Sequence, residues 1–190
     1  MALAGKPVIL QVTGYQNSGK TELVKKLIQH AAKKGYRTAT IKHHGHGGKP
    51  HIKEEKDSSK HVSSGAIAAI AQGEGRLLLQ AEKNSWTVDE QIELLGPLRP
   101  DLILIEGHKK ENYPKIVILR DQNDLHLLKD LPNIAAVLYW NHPLRGNSLP
   151  FTEEELTELK RSFTSLVFYS IHEESFYEWF CQYLYKFLDE

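Results

Sequence analysis

Two apolar runs rich in β-branched residues, "PVILQVT" at 7–13 and "DLILIEG" at 101–107, do not alternate polar with apolar positions. A strand with one wet face alternates, whereas a parallel strand covered on both faces does not, so both runs predict central strands of a parallel sheet. Between the first run and the strand-like "YRTATIK" at 36–42, the apolar positions Leu23, Val24, Leu27, Ile28 and Ala31 recur at helical spacing, and Gly35 closes the stripe. These three segments make a βαβ unit. The runs "KIVILR", "IAAVLYW" and "SLVFYS" predict further strands and "TEEELTELKRSF" a helix. Thr87 with Glu90 three residues on caps a short helix in "TVDEQIELLG" that ends at Gly96.

"AIAAIAQG" and "RLLLQ" flank "GEG" and predict a small antiparallel hairpin. Residues 43–64 show no periodicity and read as a long loop. The last helix sets Phe176, Trp179, Phe180, Tyr183, Leu184, Phe187 and Leu188 on one face, suited to core packing or to a partner's groove. The fold class is α/β: a mostly parallel, doubly wound sheet with helices on both faces, plus the hairpin. The chain has 190 residues, which fits one domain over 1–190.

Lysine and arginine number 24, as do aspartate and glutamate, so no net charge favours nucleic acid as a partner. Cys181 is the single cysteine, which excludes an intrachain disulfide. With no run of 18 apolar residues and no signal-like leader, the expectation is a soluble cytoplasmic protein without membrane contact.

The chemistry starts at "GYQNSGKT", which fits G-x-x-x-x-G-K-[ST] with Gly14, Gly19, Lys20 and Thr21, after a strand and at the start of a helix. That spacing lets backbone N–H groups surround a tetrahedral anion, because glycine reaches φ > 0 and leaves room for phosphate oxygens. Asn17 and Ser18 offer backbone donors, Lys20 reaches the β- and γ-phosphates, and Thr21 completes a Mg²⁺ shell. A phosphate loop needs a carboxylate at the end of a neighbouring buried strand, and "LILIEG" supplies Glu106. Asp101 begins that strand at the opposite end and reads as a cap or turn residue. Asp57, in "EEKDSSKH", is a second acid suited to ordering an attacking water or an outer-sphere magnesium water, or, as loop aspartates commonly do, to facing solvent.

His43, His44, His46, His51 and His61 put half of the ten histidines between 43 and 61. Solvated histidines, anion contacts by Lys42 and His43, and a Zn²⁺ or Ni²⁺ site are the three readings of this segment. The combination of the loop, "IKHHGHG", "KDSS" with "SGA", and "DLILIEGHKKENYPKIVILRD" resembles the MobB family of GTP-binding accessory proteins in molybdenum cofactor guanine dinucleotide synthesis. The likeness runs over about residues 7 to 145.

The resemblance implies a homodimer that binds GTP with Mg²⁺, hydrolyses it weakly, and associates with the molybdopterin guanylyltransferase that attaches GMP to molybdopterin. By position it makes Gly14, Gly19, Lys20 and Thr21 the phosphate and magnesium residues and puts Glu106 in the second metal-side motif. Asp57 and His43 become motif positions near the terminal phosphate. Trp140 and Asn141 stand where the family carries an aspartate at a strand end, which makes Asn141 a nucleotide-side candidate. Residues 47–56 lack the family's aspartate and Pro-Gly, and no N-K-x-D base-reading motif is present. Two other readings use the same loop: a nickel-insertion-like metal-delivery GTPase working through 43–61, and a small-molecule kinase, which requires an arginine-rich lid.

Overall fold

The computed structural model describes residues 6–43, 57–142 and 150–188. In chain order the elements are β1 (Val8–Gly14), α1 (Lys20–Lys33), β2 (Thr38–Lys42), α2 (Asp57–Ser63), β3 (Ala68–Gly73), β4 (Arg76–Ala81), α3 (Val88–Leu95), β5 (Leu102–Glu106), β6 (Lys115–Leu119), α4 (Leu127–Asp130), β7 (Ile134–Tyr139), α5 (Glu153–Ser162), β8 (Phe168–Ser170) and α6 (Ser175–Leu188). Six strands form one sheet in the order β2-β5-β1-β6-β7-β8, and every adjacent pair is parallel. The two runs without alternation are β1 and β5, side by side within the sheet, as their pattern predicts.

Each face of the sheet carries its own core. On one, Leu10, Val12, Leu104 and Ile118 pack against Leu23, Leu27 and Ala31 of α1 and Phe176, Phe180 and Leu184 of α6. On the other, Val117, Leu119, Val137 and Tyr139 meet Leu127 and Leu128 of α4 and Leu156 and Leu159 of α5. α5 starts at a reciprocal cap in which Thr152 and Glu155 satisfy each other's backbone N–H. The expected face of α6 needs one correction: Tyr177 is buried and Phe187 exposed. Phe187 lies in the last turn of α6 against Tyr183, ring centroids 5.0 Å apart, while Leu188 packs at the edge of the core.

Residues 44–90 make a second compact unit. Its β3 and β4 pair antiparallel through Glu74 and Gly75 at φ 48° and 78°, the two positive values that a type I′ hairpin turn requires. The expected loop over 43–64 is corrected for its final third, since residues 57–63 are the helix α2. Seven residues are too few for an apolar stripe to repeat, so the pattern hid it. His44, His46 and His51 lie outside the described residues. Among the described residues no helix is long and apolar enough to cross a membrane.

Candidate functional site

Strand order sets the site. β1 lies between β5 and β6, and their common register places Val12 and Lys42 opposite Glu106, so the C-terminal ends of β1, β2 and β5 finish in a row. Crevices outside such ends are where open parallel sheets bind ligands.

The loop between β1 and α1 closes only because of its glycines. A Cβ on Gly14 would stand 2.8 Å from both the Ile118 carbonyl oxygen and Ser18 Oγ, and Gly19 caps α1 at φ 95°. Asn17 is exposed and also left-handed, at φ 58°. Ser18 departs from expectation: its N–H donates to the Tyr15 carbonyl at 3.2 Å, so that donor is used inside the loop. Its hydroxyl is buried with no protein partner. The first turn of α1 supplies the remaining N–H groups that lack helical acceptors.

Lys20 Nζ arches over the loop and donates to the carbonyl oxygens of Tyr15 at 2.6 Å and Gly14 at 3.1 Å. Burial lowers the pKa of this ammonium; Glu106 opposes that shift, while Arg120, Lys42 and Lys109 add to it. Four cations thus surround one short loop, an arrangement that favours a multiply charged anion.

Glu106 is nearly buried and accepts a hydrogen bond from the Thr21 hydroxyl at 2.7 Å. Lys42 Nζ lies 3.1 Å from the same carboxylate oxygen. His43 donates its backbone N–H to the Glu106 carbonyl at 2.9 Å, and its ring sits 4.5 Å from that of His108. Burial, and then the proximity of His43, lower the His108 pKa. Asp101, at the far end of β5, bonds the Arg37 backbone and guanidinium, as its reading as a turn residue requires.

Asn141 is exposed and follows Trp140, whose indole N–H bonds the loop. Asp57 is the first residue of α2, in the second unit. His43 therefore joins Glu106, Thr21 and Lys20 at the strand ends. Among the described residues no group of three histidine, cysteine or acidic side chains is placed to hold a metal ion.

Sequence reasoning missed the flank of the loop. The Tyr15 hydroxyl bonds His126 Nε2 at 2.8 Å, and its ring lies beneath Lys109 Nζ at 4.7 Å and the Arg120 guanidinium at 5.0 Å. Arg120 in turn is gripped by buried Asp124 through two bonds of 2.8 Å, which raise its pKa. The only signal in the chain is a tyrosine at a variable position of the motif.

The chain is similar to proteins of known name. The profile described as molybdopterin guanine dinucleotide synthesis protein B, MobB, matches residues 9–140. A probable molybdopterin-guanine dinucleotide biosynthesis adapter protein of Bacillus subtilis is 42% identical over 140 residues, covering 73% of this chain and 80% of that protein. The corresponding adapter protein of Haemophilus influenzae is 32% identical, over 72% and 76% of the two chains. The crystal structure of a MobB homolog from Bacillus stearothermophilus superposes with a TM-score of 0.67 at 31% identity, over 94% of this chain and 98% of that one.

Proposed function

The chain belongs to the family of molybdopterin guanine dinucleotide synthesis protein B and is an adapter protein of that biosynthesis; from this premise we propose that it works by binding GTP with Mg²⁺. The observation that carries the reading is the convergence of Lys20, Thr21 and Glu106 where the ends of β1 and β5 meet the start of α1.

Each residue then has a task. The backbone of Gly14, Asn17 and Gly19 shapes the loop, Lys20 binds the β- and γ-phosphates, and the buried Ser18 hydroxyl, unpartnered within the protein, faces the same loop. Thr21 and Glu106 are the residues that hold Mg²⁺. They fit it, because the Lys42 ammonium already stands as a cation 3.1 Å from Glu106 Oε1 and 3.1 Å from Thr21 Oγ1. When bound, Mg²⁺ neutralises charge on the phosphate oxygens. His43 lies on the terminal-phosphate side, and Trp140 with Asn141 on the base side.

Arg120 is committed to Asp124, Tyr15 and the Gln16 carbonyl, so its guanidinium is not free to offset transition-state charge, which suits slow hydrolysis. The nucleotide-bound adapter serves the partner enzyme that attaches GMP to molybdopterin.

A homodimer is part of this proposal. Within the second unit, Ile70 of β3 pairs with Leu79 of β4 and Leu77 lies on the same face, all three exposed. Helix α2 packs on this hairpin, and an apolar face left exposed beside it gains by being covered with a second copy.

The test is calorimetry together with a reconstituted guanylylation assay. Lys20→Ala should weaken GTP binding at least about a hundredfold, the loss expected for a charge-assisted phosphate contact. It should also remove stimulation of the partner. Equal binding of GTP by wild type and variant would overturn the assignment.

A further inference from the structure

The two oxygens assigned above to Mg²⁺ already share a cation that belongs to the chain. Lys42 Nζ donates to Thr21 Oγ1 at 3.1 Å and lies 3.1 Å from Glu106 Oε1, while the Thr21 hydroxyl donates to that same Oε1 at 2.7 Å. The pairing of β2 with β5 creates this triangle by setting Lys42 directly opposite Glu106. The two partners differ in freedom: the Glu106 side chain is 10% exposed and fixed, whereas that of Lys42 is 57% exposed on a long stem.

We propose that Lys42 is an internal counter-ion: it occupies the divalent-cation position in the nucleotide-free protein and yields it more readily when a polyphosphate arrives. The proposal rests on the reading of Thr21 and Glu106 as the metal side. Two cations cannot both sit about 3 Å from one carboxylate oxygen without strong repulsion, so an entering ion must displace the ammonium. The displaced ammonium then needs a new anionic partner. Lys109 and Arg120, which with Lys42 lower the pKa of Lys20, are cations and offer none, but phosphate oxygens do. Metal and nucleotide therefore bind cooperatively, and each tightens the other by the same factor. A lysine that served only as a phosphate ligand would leave metal binding to the nucleotide-free protein unchanged.

The experiment uses Mn²⁺ as the probe, followed by the loss of its free-ion paramagnetic resonance signal, on the full chain with and without a non-hydrolysable GTP analogue. Wild type, Lys42→Met, Lys42→Gln and Glu106→Gln are compared. Without nucleotide, both Lys42 variants should bind Mn²⁺ more tightly than wild type, by up to about fivefold, the factor that corresponds to one exposed ion pair. The gain in Mn²⁺ affinity on adding the analogue should shrink by the same factor. Mn²⁺ affinities in the Lys42 variants equal to or below wild type overturn the proposal. If Glu106→Gln loses Mn²⁺ binding at the same time, the metal site stands and only the lysine's role falls. If Glu106→Gln binds Mn²⁺ like wild type, the metal site is misassigned and the proposal falls with it. Two variants at an exposed strand end, each checked by thermal melting, keep the test independent of any one folding defect.

Discussion

The indole Nε1–H of Trp140 donates to the carbonyl oxygen of Ser18 at 2.9 Å, bonding the end of β7 to the loop that follows β1, 122 residues earlier. The same ring stands 3.2 Å from where a Cβ on Gly19 would be, so one side chain both ties the loop and fixes which residue can occupy its last position. The end of β7 is thereby tied to the loop proposed to hold the phosphates.

Trp140→Phe keeps most of the ring against Gly19 and removes the donor. The folded protein should lose about 0.5–1.5 kcal/mol, the net value of one such bond, in urea unfolding. GTP affinity should fall by up to about tenfold because the loop is no longer held in its binding shape. A drop in stability with unchanged affinity would show that the bond supports the fold alone.

The parts of this fold that were legible are those in which a residue's type and its neighbours in sequence decide its fate. "VILQV" and "LILIE" read as central strands because β-branched residues without alternation suit no half-wet strand, and the phosphate loop read out because its glycines are a backbone requirement. What was not legible depends on partners far along the chain. Nothing near Tyr15 announces Lys109, Arg120 and His126, and the role of Arg120 depends on Asp124 closing a pair that only the turn after β6 creates. Lys42 read as an anion contact, and only the register of β2 on β5 puts it against a carboxylate.

Lys115 is the sharpest such case. At the head of "KIVILR" it is fully buried and donates to the carbonyl oxygens of Glu111, Tyr113 and Pro132 at 2.9, 2.8 and 2.7 Å, partners that lie outside that run. Burial lowers its pKa, with Glu111 opposing. Lys115→Met fills the space but leaves three carbonyls without donors, so it should cost about 2–4 kcal/mol in urea unfolding. The lysine begins β6, at the strand end away from the phosphate loop, so GTP affinity of the folded variant should match wild type.

Leu79→Asp places a charge beside Ile70 and Leu77 on one face of the hairpin. If that face is covered by a second copy, light scattering after size exclusion should show a dimer for wild type and a monomer for the variant, with little change in secondary structure. A dimer that survives the aspartate would assign the interface to another surface.

The helix start at Thr87 gives a pH test. Glu90 bonds the Lys83 ammonium and accepts from both the Thr87 N–H, at 2.9 Å, and the Thr87 hydroxyl, while its own N–H donates back to that hydroxyl at 3.2 Å. The lysine bond first, and the backbone bond second, pull its pKa from 4.5 to about 2. An acid whose pKa is depressed on folding releases its proton more readily in the folded state, so its stabilising contribution is complete above 4.5. As pH falls from there through about 2 the folded carboxylate is protonated and the contribution is lost. Glu90→Gln should therefore melt below wild type at neutral pH, with the difference shrinking below pH 4.5 and vanishing near 2. Because the Lys83–Glu90 pair is open to solvent, added salt should narrow the difference at neutral pH as well. Carbon-detected titration of the Glu90 carboxyl gives the direct check: a midpoint near 4.5 would mean that the cap and the Lys83 pair do not persist in solution.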